Sequence, residues 1–115
     1  IQQSKKNSQI TVTFALNYGG RNEILRAVKK IVKENIPVDK INEKLFSSHL
    51  DTSGIPDPDL IIRTGGDKRL SGYLPWQSVY SELYFTNTLF PDFTPEKLKT
   101  ALKSFATRNR RFGGN

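Results

Sequence analysis

The chain has 115 residues, 36% of them hydrophobic, no cysteine, and a formal net charge of +7. That length allows one domain with a modest core, and the missing cysteines exclude disulfides and thiolate metal sites. No apolar run approaches the ~18–20 residues of a membrane span. The positive charge favours an anionic partner (nucleic acid, an acidic membrane surface or a phosphorylated small molecule) without choosing among them. The opening residues, Ile1-Gln2-Gln3-Ser4-Lys5-Lys6, hold neither an initiator methionine nor a signal peptide's apolar stretch. Methionine occurs nowhere in the chain, so a natural start further upstream is expected.

Gln9 to Leu16 alternates β-formers and reads as a strand, with Ile10, Val12 and Phe14 on one face and Thr11 and Thr13 on the other. Asn17-Tyr18-Gly19-Gly20 stops it. A helix is expected from Asn22 to Glu34, with Ile24, Leu25, Val28, Ile31 and Val32 on its apolar face and Arg26, Lys29, Lys30 and Lys33 opposite. Asn35 and Pro37 end it, and Asp39 is expected to cap a shorter helix through Leu45 and Phe46. Asp51 to Asp59 is rich in turn formers, with Pro56 and Pro58 excluding regular structure. Leu60-Ile61-Ile62 then reads as a short buried parallel strand, followed by a loop from Thr64 to Gly72. Val79 to Phe85 is expected to be another strand, and Trp76, Leu74 and Phe90 core. Thr94 caps the last helix, Pro95 occupies its first position, and Leu98, Ala101, Leu102, Phe105 and Ala106 form its stripe.

This order predicts an α/β fold with a mostly parallel sheet surrounded by helices. Ligands in such sheets bind beyond the C-terminal ends of the strands, which marks the loops 17–21 and 63–71 as the functional rim.

The second of those loops, Arg63-Thr64-Gly65-Gly66-Asp67-Lys68-Arg69-Leu70-Ser71, carries the most chemistry. Arginine presents a rigid fork of donors to phosphate oxygens, glycine lets backbone N–H groups approach an anion, and serine adds a hydroxyl. The composition suits a diphosphate cradle, and equally a solvated turn whose glycines only reverse the chain. The P-loop pattern is absent. Glu82, among Tyr80, Leu83, Tyr84 and Phe85, is costly to bury unless it pairs with an arginine or holds a hard cation. An exposed edge-strand position would also account for it. The tail from Arg108 onward reads as an anion contact or an unstructured basic end. His49, the sole histidine, fits a capping or surface role.

The runs Pro58-Asp59-Leu60-Ile61-Ile62-Arg63-Thr64-Gly65-Gly66, Arg69-Leu70-Ser71 and Leu74-Pro75-Trp76-Gln77 resemble the signature of cis-prenyltransferases. So do Tyr80-Ser81-Glu82-Leu83-Tyr84-Phe85, Phe90-Pro91-Asp92-Phe93, Ala15-Leu16-Asn17-Tyr18-Gly19-Gly20-Arg21 and Arg110-Arg111-Phe112-Gly113-Gly114. The bacterial, undecaprenyl diphosphate-making branch is the nearest match, and residues 1–115 resemble the C-terminal portion of one such domain. Asp67 stands where that family usually has glutamate, and Gly72-Tyr73 replaces a more common Asn-Phe or Asp-Phe pair.

The resemblance implies a transferase that condenses isopentenyl diphosphate onto farnesyl diphosphate with magnesium, making the long cis-polyprenyl carrier lipid of cell-wall synthesis. It implies that Arg63, Arg69, Leu70 and Ser71 bind isopentenyl diphosphate and that Glu82 binds the magnesium. Arg111 and Gly113 would close the same site from the partner of a homodimer, and Ile10 would line the product tunnel. A cytoplasmic enzyme, touching the inner membrane face through its lipid product, is the expected setting. The catalytic aspartate is expected in an N-terminal half not present in these 115 residues, so the chain alone is expected to lack full activity. A non-catalytic homologue and a basic nucleic-acid-binding module remain as alternatives. Against the latter, the arginines gather in one loop and one tail rather than along a face, and nucleic acid is not an expected partner.

Overall fold

The computed structural model describes residues 2–3 and 10–108, in two compact units that divide between Pro56 and Asp57. In the first unit, strands β1 (Gln2–Gln3) and β2 (Thr13–Phe14) pair antiparallel, Gln2 opposite Phe14 and Gln3 opposite Thr13. The strand expected over 9–16 is thus shorter, and its alternation is not used. Ile10 is 65% exposed, Val12, Phe14 and Leu16 are also exposed, and the threonines between them are no more covered. Among the described residues of the segment only Thr13 and Phe14 pair, too few to make a sheet face that would bury one side of it.

Helix α1 runs Gly20–Lys33, starting two residues earlier than expected. Its buried positions are Gly20, Glu23, Ala27 and Ile31. They share a face at spacings of three and four, but it is not the face of greatest hydrophobicity. Leu25, Val28 and Val32 are exposed. Asn35, at φ 54°, takes the left-handed position after the helix. Its N–H donates to the Val32 carbonyl at 3.0 Å, and the Ile36 N–H reaches the Ile31 carbonyl at 3.4 Å. This paired closure satisfies two carbonyls that the last turn leaves open. A 3₁₀ turn, Val38–Lys40, precedes α2 (Glu43–Ser48). The cap of α2 is Asn42, whose Oδ1 accepts the Leu45 N–H at 2.8 Å. Asp39 lies in the 3₁₀ turn and is too far upstream to do so.

His49 closes α2, in keeping with a capping role. Its Nε2 lies 2.8 Å from Glu34 Oε2 and its Nδ1 lies 2.9 Å from the Leu45 carbonyl. Two acceptors facing two ring nitrogens favour the imidazolium, which alone can donate from both. The hydrogen bond to Glu34 accordingly raises the His49 pKa above the ordinary 6.5, with the Leu45 carbonyl adding to it. A raised folded value means stability present in full below about pH 6.5 and lost as pH rises through the folded value. The expected result is a melting temperature that falls slightly from pH 6 to pH 9, with Glu34→Gln flattening that slope. An unchanged slope in that variant would refute the linkage.

In the second unit, β3 (Leu60–Arg63) and β4 (Glu82–Phe85) pair in parallel, from Leu60 opposite Glu82 to Arg63 opposite Phe85. The Ser81 hydroxyl donates to the Pro58 carbonyl at 2.5 Å, fixing how the two strands start. The expected strand over 79–85 begins only at Glu82. Residues 71–80, Trp76 among them, form successive turns, with Ser71 and Leu74 at φ 51° and 47°. Phe90 lies in a 3₁₀ turn, Phe90–Asp92, and is 78% exposed rather than core. Helix α3 (Pro95–Ala106) lies against β4. It starts as expected, with Thr94 Oγ1 accepting the Lys97 N–H at 3.3 Å and Pro95 in the first turn. Of its stripe Ala101 is fully buried, while Leu98 and Leu102 are exposed. The buried apolar residues are Ala27, Ile31 and Leu50 in the first unit and Ile61 and Ala101 in the second. The chain is α/β in character, with a parallel strand pair and α3 packed against it in the second unit.

Candidate functional site

Beyond the C-terminal end of β3 the chain turns through Gly65 and Gly66 at φ 91° and 92°, values that a side chain would strain. Their N–H groups are not held out to a ligand. Gly65 donates to the Thr88 carbonyl at 2.9 Å and Gly66 to the Thr86 carbonyl at 3.0 Å. Since the Thr86 N–H in turn donates to the Arg63 carbonyl at 3.0 Å, the turn is sewn to the end of β4. The glycines therefore give rigidity, and the expected role for them as anion donors is set aside. What the loop leaves for a ligand is its side chains.

Those side chains converge. Arg63 Nη1 donates to the Arg69 carbonyl and to Ser71 Oγ, the latter at 3.0 Å. Arg63 Nη2 donates to Asp67 Oδ2 at 3.1 Å, and Arg69 Nη2 donates to Asp67 Oδ1 at 3.2 Å. One carboxylate thus spans two guanidinium groups, each oxygen held by a different arginine. Ser71, in the left-handed region, turns its hydroxyl towards Arg63. Beside this cluster is a cleft of about 330 Å³ lined by Ile61, Ile62, Arg63, Leu70, Ser71 and Tyr73. It is at the low end of small-molecule pockets, roughly 300–1,000 Å³. One wall is cationic and hydroxylic, the other aliphatic and aromatic. Arg63, Arg69, Leu70 and Ser71 are therefore brought together at the C-terminal end of a parallel strand.

Glu82 stands apart from them. Register sets it opposite Leu60, three residues back from the Arg63–Phe85 pair, and pleat alternation assigns it to the other face of the strand pair. Its Oε2 accepts a hydrogen bond from Arg108 Nη1 at 3.1 Å, and the same nitrogen donates to the Leu83 carbonyl at 2.7 Å. An arginine therefore partners this half-buried carboxylate. Arg108 was legible only as part of a basic tail, because nothing local marks a partner 26 residues distant. Among the described residues no group of three or more His, Cys, Asp or Glu side chains could hold a metal ion. A single carboxylate still fits a cation such as magnesium, which takes one or two carboxylates and completes its shell with substrate phosphate and water. Arg111 and Gly113 lie outside the described residues.

The first unit carries a second polar cluster. Glu23, 1% exposed, accepts the Tyr18 hydroxyl at 2.5 Å on Oε1 and the Asp51 N–H at 2.9 Å on Oε2. Asp51 in turn receives both Arg26 guanidinium nitrogens at 2.7 Å, and Arg26 Nε donates to Asn22 at 2.8 Å. The hydrogen bonds from Arg26 hold the Asp51 pKa below its ordinary 3.8. Arg26 is thus a structural clamp, not one more solvated cation of the α1 surface. The adjoining cleft, about 270 Å³, is lined by Ala15, Leu16, Asn17, Tyr18, Arg26 and Asp51. Its one arginine is already neutralised by its one aspartate. Ile10 lies in the same unit, on an exposed extended segment.

The chain is similar to known proteins over most of its length. A family model described as "Putative undecaprenyl diphosphate synthase" matches residues 1–113. The isoprenyl transferase of Aquifex pyrophilus is 52% identical over 112 residues, covering 97% of this chain and 48% of the relative. That of Clostridium perfringens is 45% identical over 118 residues, covering 99% and 47%. The chain spans about half the length of the curated relatives it matches. Among solved structures, lavandulyl diphosphate synthase from Lavandula x intermedia, crystallised with dimethylallyl diphosphate, superposes with a TM-score of 0.79 at 43% identity. That match covers 85% of this chain and 44% of the plant enzyme. A probable undecaprenyl diphosphate synthase from Campylobacter jejuni gives a TM-score of 0.74 at 41% identity, covering 85% and 45%. No helix among the described residues is long and apolar enough to cross a membrane. With its α/β fold, its cationic loop beyond a parallel strand and a family match over nearly its whole length, the chain belongs to the undecaprenyl diphosphate synthase family of prenyltransferases.

Proposed function

We propose that this chain is the C-terminal portion of a cis-prenyltransferase and carries the half-site for isopentenyl diphosphate. The observation that carries the reading is the convergence of Arg63, Arg69 and Ser71 beside an apolar cleft large enough for a five-carbon chain. The diphosphate lies against the two guanidinium groups and the serine hydroxyl, as charge-assisted hydrogen bonding favours. Leu70, Ile62 and Tyr73 line the cleft that takes the isopentenyl carbons. The co-substrate is an allylic diphosphate such as farnesyl diphosphate. Its carbon–oxygen bond breaks as the alkene of isopentenyl diphosphate attacks, and a proton is lost to leave a new cis double bond.

In this reaction these residues orient the alkene and stabilise negative charge on its diphosphate. Glu82 offers one carboxylate to magnesium, which when bound supplies further positive charge to the substrate phosphates. Arg108 neutralises Glu82 when no cation is there. Ile10 faces the growing product, and Arg111 and Gly113 reach the site from the partner in a homodimer. The setting is cytoplasmic, at the inner membrane face where the carrier lipid of cell-wall synthesis departs. Exposure of Ile10, Val12, Phe14, Leu16, Leu25, Val28 and Val32 supports the reading of a portion that packs against further protein.

Half a site does not complete the reaction. The purified 115-residue chain, given farnesyl diphosphate, labelled isopentenyl diphosphate and magnesium, is expected to release no long-chain product. Sustained elongation by the chain alone would overturn this division of labour.

A further inference from the structure

The anion seat between the two arginines is occupied by the protein itself. Asp67 divides its two oxygens between Arg63 and Arg69, at 3.1 and 3.2 Å, as a phosphoryl group would. It reaches Arg63 from four residues along the chain and Arg69 from two. The Gly65 and Gly66 N–H groups are already given to the Thr88 and Thr86 carbonyls, so those two donors are not open to an incoming phosphate. A ligand that seeks the two Nη2 groups facing each other across the loop competes with the Asp67 carboxylate for them.

Resting on the phosphate-binding reading of this loop, we propose that Asp67 is a tethered competitor that sets both the affinity and the charge selectivity of the cradle. With Asp67 in place the three charged groups sum to +1, since two guanidinium groups face one carboxylate. A singly charged anion only exchanges one negative charge for another and gains little. A diphosphate carries two to three charges and more oxygens, so it regains both arginine contacts and adds electrostatic attraction. The exchange is feasible because Asp67 is 50% and Arg69 70% exposed, and exposed ion pairs are weak enough to open. A carboxylate released from the arginines has water to move into. Asp67 thus acts as a specificity-determining residue that touches the ligand's seat without contributing to its hold.

The opposite role would be pre-organisation, with Asp67 splaying the two guanidinium groups at the spacing a diphosphate needs. The two roles predict opposite signs. Inorganic pyrophosphate, titrated calorimetrically into the 115-residue chain in EDTA, is the probe, with acetate as the singly charged anion. Asp67→Asn and Asp67→Ala are expected to bind pyrophosphate about five-fold tighter than the parent, the effect of removing two exposed ion pairs from the unliganded state. They should also narrow the preference for pyrophosphate over acetate. Weaker binding in both variants, or no change, would overturn the competitor role. Arg63→Ala separates this from failure of the underlying reading. If the parent does not bind pyrophosphate, or Arg63→Ala binds it equally well, the phosphate cradle itself is wrong. If the parent binds, Arg63→Ala does not, and neither Asp67 variant tightens, only the competitor role fails.

Discussion

Arg63→Ala in the complete enzyme is expected to raise the KM for isopentenyl diphosphate about 10- to 100-fold and to leave that for farnesyl diphosphate nearly unchanged. The range follows from losing one hydrogen bond to a charged group, worth about 1.5–3 kcal/mol. Arg63 is the better anchored of the two arginines, being less exposed than Arg69 and bonded to the Arg69 carbonyl and Ser71 as well as Asp67. Its removal therefore also loosens the positions of Arg69 and Ser71. Arg69→Ala is expected to follow the same pattern with a smaller effect, because a more exposed side chain is worth less to an anion already screened by water. Substrate-by-substrate steady-state kinetics decides the point. Equal losses for both substrates would mean that the loop does not discriminate between them.

The second large effect concerns stability. Glu23→Ala is expected to destabilise the chain by about 2–3 kcal/mol, because it strands the Asp51 N–H and the Tyr18 hydroxyl that the buried carboxylate now accepts. For a chain of this size that corresponds to a fall in melting temperature of roughly 10 °C. Exposed Lys29→Ala on the same helix should change it little. A melting temperature unmoved by Glu23→Ala would show that the cluster joining Tyr18, α1 and Asp51 is not a support of the first unit.

The contrast between α3 and α1 shows what sequence patterns can convey. Thr94 and Pro95 announce the start of α3 by chemistry that acts within one turn, and the helix begins there. The buried face of α1 is chosen instead by Tyr18 and the backbone of Asp51, which lies 28 residues away and satisfies a glutamate at its centre. No periodicity in hydrophobicity reveals that, and the apolar residues Leu25, Val28 and Val32 point elsewhere. The cap of α2 was missed for a smaller reason: Asp39 and Asn42 are both good caps, and only the backbone decides between them.

At the candidate site the residue types were more telling than the spacing. Arg63, Arg69, Leu70 and Ser71 are gathered as the loop's composition and family pattern led one to expect. The use of the glycines was not legible, since whether an N–H faces a ligand or a neighbouring strand is settled by the Thr86 and Thr88 carbonyls. Asp67 was noted only for departing from a usual glutamate. An acid four residues after one arginine and two before another was the available signal for its bridging role. Glu82 pairs with Arg108, which lies too far along the chain to be chosen from sequence.

The central claim is that this loop binds isopentenyl diphosphate in preference to the allylic substrate. Titration of the isotopically labelled chain, followed by NMR through the backbone amides and arginine side chains, tests it most directly. On adding isopentenyl diphosphate, the signals of Arg63, Arg69, Ser71 and the Ile61–Tyr73 cleft should shift saturably, while farnesyl diphosphate at the same concentration should leave them nearly unmoved. Shifts that appear instead around Asn17 to Arg26, or equal responses to both diphosphates, would contradict the account.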